Sequence, residues 1–339
     1  MHGPFKVAAV QAAPEFLDLD AGIDKAVKLI EDAAAQGAKL VAFPETWLPG
    51  YPWYIWLDAT AMYMPLVPRY VANSVVEGSE QDKRLAKAAR DNMIHVVMGL
   101  SWNVNGTLYM GQWHYGPDGE VISRRRKLKP THVERTVFAE GDGSDMTVVD
   151  TDLGRVGALC CWEHIQPLSK YAMYSQNEQI HVASWPSFSV YEGGAYALGP
   201  EVNTAASRIY AVEGQCFVLA ACATVSDAMV EFLCDTPTKQ QLLKKGGGYA
   251  RIFGPDGSPM GENLAPDEEG LVIAEIDLNM IAIGKAAADP CGHYSRPDVF
   301  RLMFNRKPSP RVMDFDNDAA RTTAAPRPSA EAIDEEASA

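Results

Sequence analysis

No stretch of the sequence is long and uncharged enough to span a bilayer as a helix, which removes helical membrane proteins from consideration. The opening, MHGPFKVAAVQ, lacks the basic start, apolar stretch and small-residue site of a secretory leader, so a soluble, cytoplasmic protein is the expectation. Positive charge is in deficit: 30 Lys and Arg face 44 Asp and Glu, a net charge of −14. Nucleic acid and anionic membrane surfaces are therefore poor partners, since both require clustered basic residues to offset phosphate. Cysteine is scarce, with six in 339 residues (Cys160, Cys161, Cys216, Cys222, Cys234 and Cys291), mostly inside apolar runs. That pattern fits reduced thiols better than a disulfide framework. The absence of paired C-x₂₋₄-C motifs argues against a zinc cluster built from Cys160, Cys161, His164, Cys291 and His293, and no metal is expected. No G-x-G-x-x-G follows the first strand-like run and no G-x-x-x-x-G-K-[ST] occurs, so no nucleotide cofactor is expected either.

What the sequence does have is apolar residues (47%) in short blocks alternating with amphipathic stretches, the signature of an α/β fold with a large core. Strand-like runs include KVAAVQAAP, AKLVAFPE, IHVVMGLSW, TLYMGQWHYG, MTVVDT, RVGALCC, QIHVASWP, CFVLAACAT, GGYARIFG and GLVIAEIDL. The spacing predicts a first helix capped by Asp20 and stopped at Gly37, and further helices over 80–93, 167–177 and 201–213. The tetrapeptide GPDG occurs at Gly116–Gly119 and again at Gly254–Gly257, each time between strand-like runs. Both read as hairpin turns, so antiparallel pairs should stand beside parallel units. One catalytic domain is expected over 1–313. Residues 314–339, carrying seven acids against Arg321 and Arg327, read as a disordered acidic tail.

Three segments could carry chemistry. In GRVGALCCWEHIQPL, alternation ends at Cys161, and Pro167 suits the first turn of a helix with Leu168, Tyr171 and Ala172 inward. Cys161 then stands on a strand-to-helix elbow, where backbone N–H groups favour a thiolate, and Cys160 is the better core residue. His164 is near in sequence, but lies on the same turn as the cysteine. The second segment, LVAFPETWLPGYP, ends an apolar run with Glu45, a carboxylate placed to take a thiol proton if partly desolvated. The third, SRRRKLKPTHVERTVFAEGDG, clusters Arg124, Arg125, Arg126, Lys127 and Lys129, and reads as an internal anion site or a solvated face. One of its lysines could stabilise negative charge formed when a thiolate adds to an unsaturated carbon. Glu134 follows closely.

Together, FPETWLPGYP, RRKLKPTHVER, GALCCWEH and GHYSRPD resemble the nitrilase branch of the carbon–nitrogen hydrolase superfamily, with most likeness to bacterial arylacetonitrilases. The resemblance runs from about Lys6 to about Val312. It implies a four-layer αββα sandwich, with homodimers that build spirals or filaments. It also implies a Glu45–Lys127–Cys161 triad with Glu134 as a second active-site glutamate, and hydrolysis of a nitrile by water through a cysteine thioimidate and an acyl thioester. Lys127 rather than Lys129 matches the family's Arg-Lys-Leu. An aryl substrate would be held by Trp53, Tyr54, Trp56 and Trp162, with His132 and Trp185. Rival readings are an aliphatic nitrilase, a cyanide dihydratase, an amidase or carbamoylase, and a filament-forming scaffold without turnover.

Overall fold

The computed structural model describes residues 3–191 and 193–312. The expected acidic tail, 314–339, lies outside the described residues. Thirteen strands form one mixed sheet. They are β1 (Phe5–Ala12), β2 (Ala38–Ala42), β3 (His95–Val104), β4 (Thr107–Tyr115), β5 (Val121–Arg126), β6 (Phe138–Ala139) and β7 (Val148–Thr151), followed by β8 (Gly154–Cys160), β9 (Ile180–Trp185), β10 (Phe217–Ala223), β11 (Arg251–Phe253), β12 (Pro259–Met260) and β13 (Gly270–Ile276). The main path runs β5-β4-β3-β2-β1-β10-β9-β8-β7. Its two halves join at the end of β1, where Gln11 and Ala12 pair with Cys222 and Ala223.

The halves fold face to face. Gln112 on β4 donates across the gap to the Leu159 carbonyl of β8 (3.1 Å) and to Ser184 Oγ of β9 (2.8 Å). Period-2 alternation assigns the layers: Val7 and Ala9 of β1 join Val156, Ala158 and Val182 in the inner core, whereas Ala8 and Val10 face outward. Helices Leu19–Ala35 and Glu80–Asp91 cover that outer face, and the fully buried Ile23 and Ile30 contribute roughly 1.5–3 kcal/mol each. Helices Pro167–Tyr174 and Pro200–Gly214 cover the other half through Ala172, Met173, Tyr210 and Ala211. The order of layers is helix, sheet, sheet, helix.

Both GPDG segments are tight turns between antiparallel strands, closed by Gly119 N–H to the Gly116 carbonyl and by Gly257 N–H to the Gly254 carbonyl. The first helix is capped by Asp18, not Asp20: the Asp18 carboxylate accepts from Ala21 N–H, because the helix begins early enough to bury Leu19. Asp20 occupies the first turn, where a carboxylate also suits the dipole. Leu168 is another departure. It is 70% exposed, and the inward side of its helix is Ala172, Met173 and Tyr174. Among the described residues no helix is long and apolar enough to cross a membrane.

Candidate active site

Strand ends bring the three segments together. Glu45 lies just past β2, Lys127 immediately follows β5, and Cys161 immediately follows β8. The Glu45 segment is tied to the opposite half-sheet by its own N–H on the Trp185 carbonyl (3.2 Å) and by Ser184 Oγ on the Phe43 carbonyl (2.9 Å). It also presses on β3, where a Cβ at Gly99 would sit 1.8 Å from the Pro44 carbonyl oxygen. Only glycine permits that approach.

Cys161 has a left-handed backbone (φ +46°), as do Thr46 (φ +49°) and His132 (φ +47°). Non-glycine residues hold such conformations only where their surroundings over-determine them. At the elbow the constraint is Glu163: its carboxylate accepts from Cys160 N–H (2.7 Å) and from Leu128 N–H (2.8 Å), so it fastens the neighbour of the cysteine to the neighbour of the lysine. Arg125 binds both oxygens of Glu163 at 2.8 and 3.0 Å. The basic cluster is thus not an anion site. Arg124 pairs with Asp82, Arg125 with Glu163, Arg126 with Asp142 and Asp145, and Lys129 with Glu140 at the surface.

Lys127 is fully buried between two carboxylates, donating to Glu45 Oε1 (2.9 Å) and Glu134 Oε2 (2.7 Å). Glu134 also accepts from Thr131 N–H and, through Oε1, from the Tyr51 hydroxyl at 2.8 Å, which in turn accepts from Trp56 Nε1. Glu45 Oε2 is buried without a hydrogen-bond partner among the described residues. Burial, partly countered by Lys127, pushes the Glu45 carboxyl up to about 8, a value suited to exchanging protons near neutrality. Burial and then the Glu45 charge push the Cys161 thiol well above its ordinary 9.0, with Lys127 pulling the other way. Burial alone would lower Lys127, but Glu134 and Glu45 outweigh it and keep the ammonium charged. The arrangement can take a proton from sulfur, hold positive charge beside it, and return a proton.

A cavity of about 320 Å³ opens onto Cys161 and Glu134. Its walls include Tyr51, Trp53, Trp56, His132, Trp162, Phe188, Leu198 and Asn203. Trp56 stacks on His132 with centroids 5.5 Å apart, and Trp162 is oriented by its indole N–H on Asn203 Oδ1 (2.9 Å). Of the aromatic residues expected here, Trp53, Trp56, His132 and Trp162 line the cavity, and Tyr54 and Trp185 do not. Tyr54 turns into the core against Tyr63 and Tyr70, being the first residue of the short helix Tyr54–Leu57. Trp185 is buried at the end of β9, with its indole N–H on Ser207 Oγ.

Sequence reasoning gave no site role to Glu163, Phe188 or Asn203. A signal existed for one: Glu163 stands three residues after Cys160, the spacing of a capping box, which recurs at Thr131 and Glu134.

The carbon–nitrogen hydrolase family profile matches residues 6–285. A protein from Pseudomonas syringae pv. syringae named nitrilase is 61% identical over 93% of this chain and 94% of its own. An aliphatic nitrilase of Rhodococcus rhodochrous is 51% identical over 89% of this chain and 83% of its own. An arylacetone-specific nitrilase of Alcaligenes faecalis is 50% identical over 91% of this chain and 87% of its own. In fold, the chain is similar to the C. elegans NitFhit protein, with TM-score 0.69 and 19% identity, covering 91% of this chain and 69% of that one.

Proposed function

Since this chain belongs to the carbon–nitrogen hydrolase superfamily and is a nitrilase, we propose that its preferred substrates are arylacetonitriles and that Cys161, Glu45, Lys127 and Glu134 carry the reaction. The reaction is R–C≡N + 2 H₂O → R–COOH + NH₃. Cys161 sulfur bonds to the nitrile carbon as its proton passes to Glu45, so a free thiolate need not accumulate despite the raised thiol pKa. Two N–H groups of Lys127 are held by Glu45 and Glu134. The third stabilises the nitrogen as the triple bond becomes C=N and passes its proton there to complete a thioimidate, while the proton that Glu45 took from sulfur returns to Lys127. Glu45, again unprotonated, draws a proton from water as it adds to that carbon. The tetrahedral intermediate expels ammonia, a second water attacks the acyl thioester, and the acid leaves with the thiol restored. Glu134, fixed by Tyr51 and Thr131, keeps Lys127 aimed throughout.

The observation that carries the substrate class is the aromatic lining of the cavity over Cys161. Sequence identity does not separate the classes, because an aliphatic nitrilase and an arylacetone-specific one stand at 51% and 50%. Trp53, Trp56, Trp162 and Phe188 line the space an aryl group would occupy. A saturated carbon between ring and nitrile lets the ring lie in that space while the nitrile bends toward the sulfur. The test is a kinetic panel of phenylacetonitrile, mandelonitrile, benzonitrile, an aliphatic dinitrile and cyanide. The first two should show the highest kcat/KM, and preference for the dinitrile would overturn the aryl assignment.

Assembly belongs to the same proposal. Leu168, Ile209 and Val212 are exposed on the paired helices Pro167–Tyr174 and Pro200–Gly214, a face suited to a second copy that would build dimers and then spirals. Light scattering on Leu168→Glu/Ile209→Glu protein should show smaller particles than wild type, and an unchanged mass would refute this face. The reaction is assigned to the cytoplasm, in keeping with six free cysteines.

A further inference from the structure

Behind the elbow, away from the cavity, a file of buried polar side chains ends on the nucleophile's own backbone. The Cys161 carbonyl lies 2.6 Å from His164 Nδ1, His164 Nε2 lies 2.8 Å from His181 Nε2, and His181 Nδ1 lies 2.7 Å from Glu178 Oε1. The Tyr210 hydroxyl donates to Glu178 Oε2 at 2.6 Å. His164, His181, Glu178 and Tyr210 are each at most 1% exposed. A Cβ at position 157 would stand 1.9 Å from Glu178 Oε1, so Gly157 leaves the room this carboxyl occupies.

The acceptors and donors along this file fix its protons. A carbonyl only accepts, so His164 donates from Nδ1 and, when neutral, offers a lone pair at Nε2. His181 must then donate from Nε2, which leaves a lone pair at Nδ1 facing Glu178 if His181 is neutral. The contact between His181 and Glu178 therefore contains one proton, held by the carboxyl or by the ring. Remove it, and His181 must turn its single N–H toward the Glu178 carboxylate. His164 then faces a lone pair and must donate from Nε2, which sets its Nδ1 lone pair against the Cys161 carbonyl at 2.6 Å.

We propose that Glu178, His181 and His164 form a brace that holds the left-handed Cys161 backbone only while the Glu178–His181 pair carries its proton, and that losing this proton releases the elbow and ends turnover at alkaline pH. These are positioning residues that never meet the substrate, and the inference rests on reading Cys161 as the nucleophile. The surroundings agree on which group titrates. Burial pushes Glu178 up to about 8, against the lowering effects of the Tyr210 hydrogen bond and of Arg125. Burial pushes both His164 and His181 well below 6.5, so the proton rests on the carboxyl. The other groups facing the file are Arg125 from β5 and Glu163 from the elbow, which neutralise each other, and Tyr210, Tyr174 and Cys216, all raised by burial. Glu178 therefore loses its proton first.

The test is the pH profile of kcat, with Cys161→Ala as reference. Wild type should fall on the alkaline side through about 8. Glu178→Gln supplies a permanent N–H to His181 Nδ1 and an oxygen to Tyr210, so it should keep most of the neutral-pH rate and lose the alkaline fall. Glu178→Ala should lower kcat about tenfold at neutral pH with KM within about twofold, the size of one lost hydrogen bond to the elbow. An alkaline fall unchanged in Glu178→Gln overturns the brace. Turnover surviving in Cys161→Ala overturns the nucleophile reading beneath it instead. A measurement on unmutated protein gives the same decision: in NMR of isotope-labelled histidine, the His164 Nδ1–H tautomer should switch to Nε2–H as pH passes about 8. A constant tautomer refutes the brace even if the variants fail to fold.

Discussion

Replacing Gly99 by alanine should disable the site without touching any residue that meets the substrate. On β3, Gly99 accepts from Trp47 N–H (2.9 Å) and Leu48 N–H (3.3 Å), which draws the Pro44–Glu45 backbone against the strand. An added Cβ would lie 1.8 Å from the Pro44 oxygen, 2.8 Å from its carbonyl carbon and 3.2 Å from Glu45 Cα. Contacts below 3.0 Å are essentially never tolerated, so the two backbones must part by about 1.2 Å. Both neighbours are backbone and cannot rotate away. That displacement carries Glu45 from its 2.9 Å bond with Lys127, and a shift near 1 Å in a reacting group lowers turnover by about 10²-fold. The strain itself costs about 1–3 kcal/mol, small enough for a domain of ordinary stability to stay folded. Ammonia release from phenylacetonitrile gives kcat and KM, and circular dichroism melting confirms the fold. A folded Gly99→Ala protein with kcat within about threefold of wild type would refute the close-approach argument.

Further expectations follow the charged residues. Lys127→Ala, Glu45→Gln and Glu134→Gln should each lower kcat about 10²-fold or more, and Lys129→Ala, whose partner Glu140 is equally exposed, should be mild. The opposite ranking of the two lysines in ammonia-release assays would reverse the assignment. Tyr51→Phe removes the hydroxyl on Glu134 and strands Trp56 Nε1, so kcat should fall about 10-fold with the fold retained; an unchanged kcat would contradict the role given to that bond. Glu178 also sets a stability trend. Its folded pKa of about 8 exceeds its ordinary 4.5, so the folded state holds a proton that the unfolded chain releases. Stability attributable to it should be complete below about 4.5 and decline as pH rises toward 8. Urea midpoints of wild type relative to Glu178→Gln should drop across that window, and a rise would reverse the sign. Removing residues 314–339 should leave kcat intact, because the anchoring contacts of Ser309 to Asp142 and Arg311 to Tyr109 precede the cut; inactive, folded protein would show that the tail contributes to the site.

The outline of the fold was readable because period-2 runs and Asp-Gly turns are local signals, and the run read in RVGALCC forms β8, Gly154–Cys160. Strand β5 was harder: VISRRR looks like a solvated basic run until each arginine is given its own carboxylate from 16 to 42 residues away in sequence. Local spacing likewise placed Cys161 on its elbow, but the value of Glu45 depends on burial by elements from both half-sheets. The aromatic run after Glu45 shows the limit most clearly. Trp47 and Tyr54 enter the core while Trp53 and Trp56 reach the cavity, a partition set by a turn and a four-residue helix too short to carry a periodic signal. The His164–His181–Glu178 file was not readable at all, since His164 and His181 meet only when the elbow folds back on β9.

The central claim is that Cys161 bonds covalently to the substrate carbon, and the most direct measurement is to stop turnover with acid and weigh the peptides. With phenylacetonitrile as substrate, the peptide containing Cys160 and Cys161 should gain the mass of a thioimidate or acyl group. Fragmentation should place it on Cys161, and the Cys161→Ala protein should show no adduct and release no ammonia. An adduct on Cys160, Cys216, Cys222, Cys234 or Cys291, or ammonia released by folded Cys161→Ala, would contradict the account.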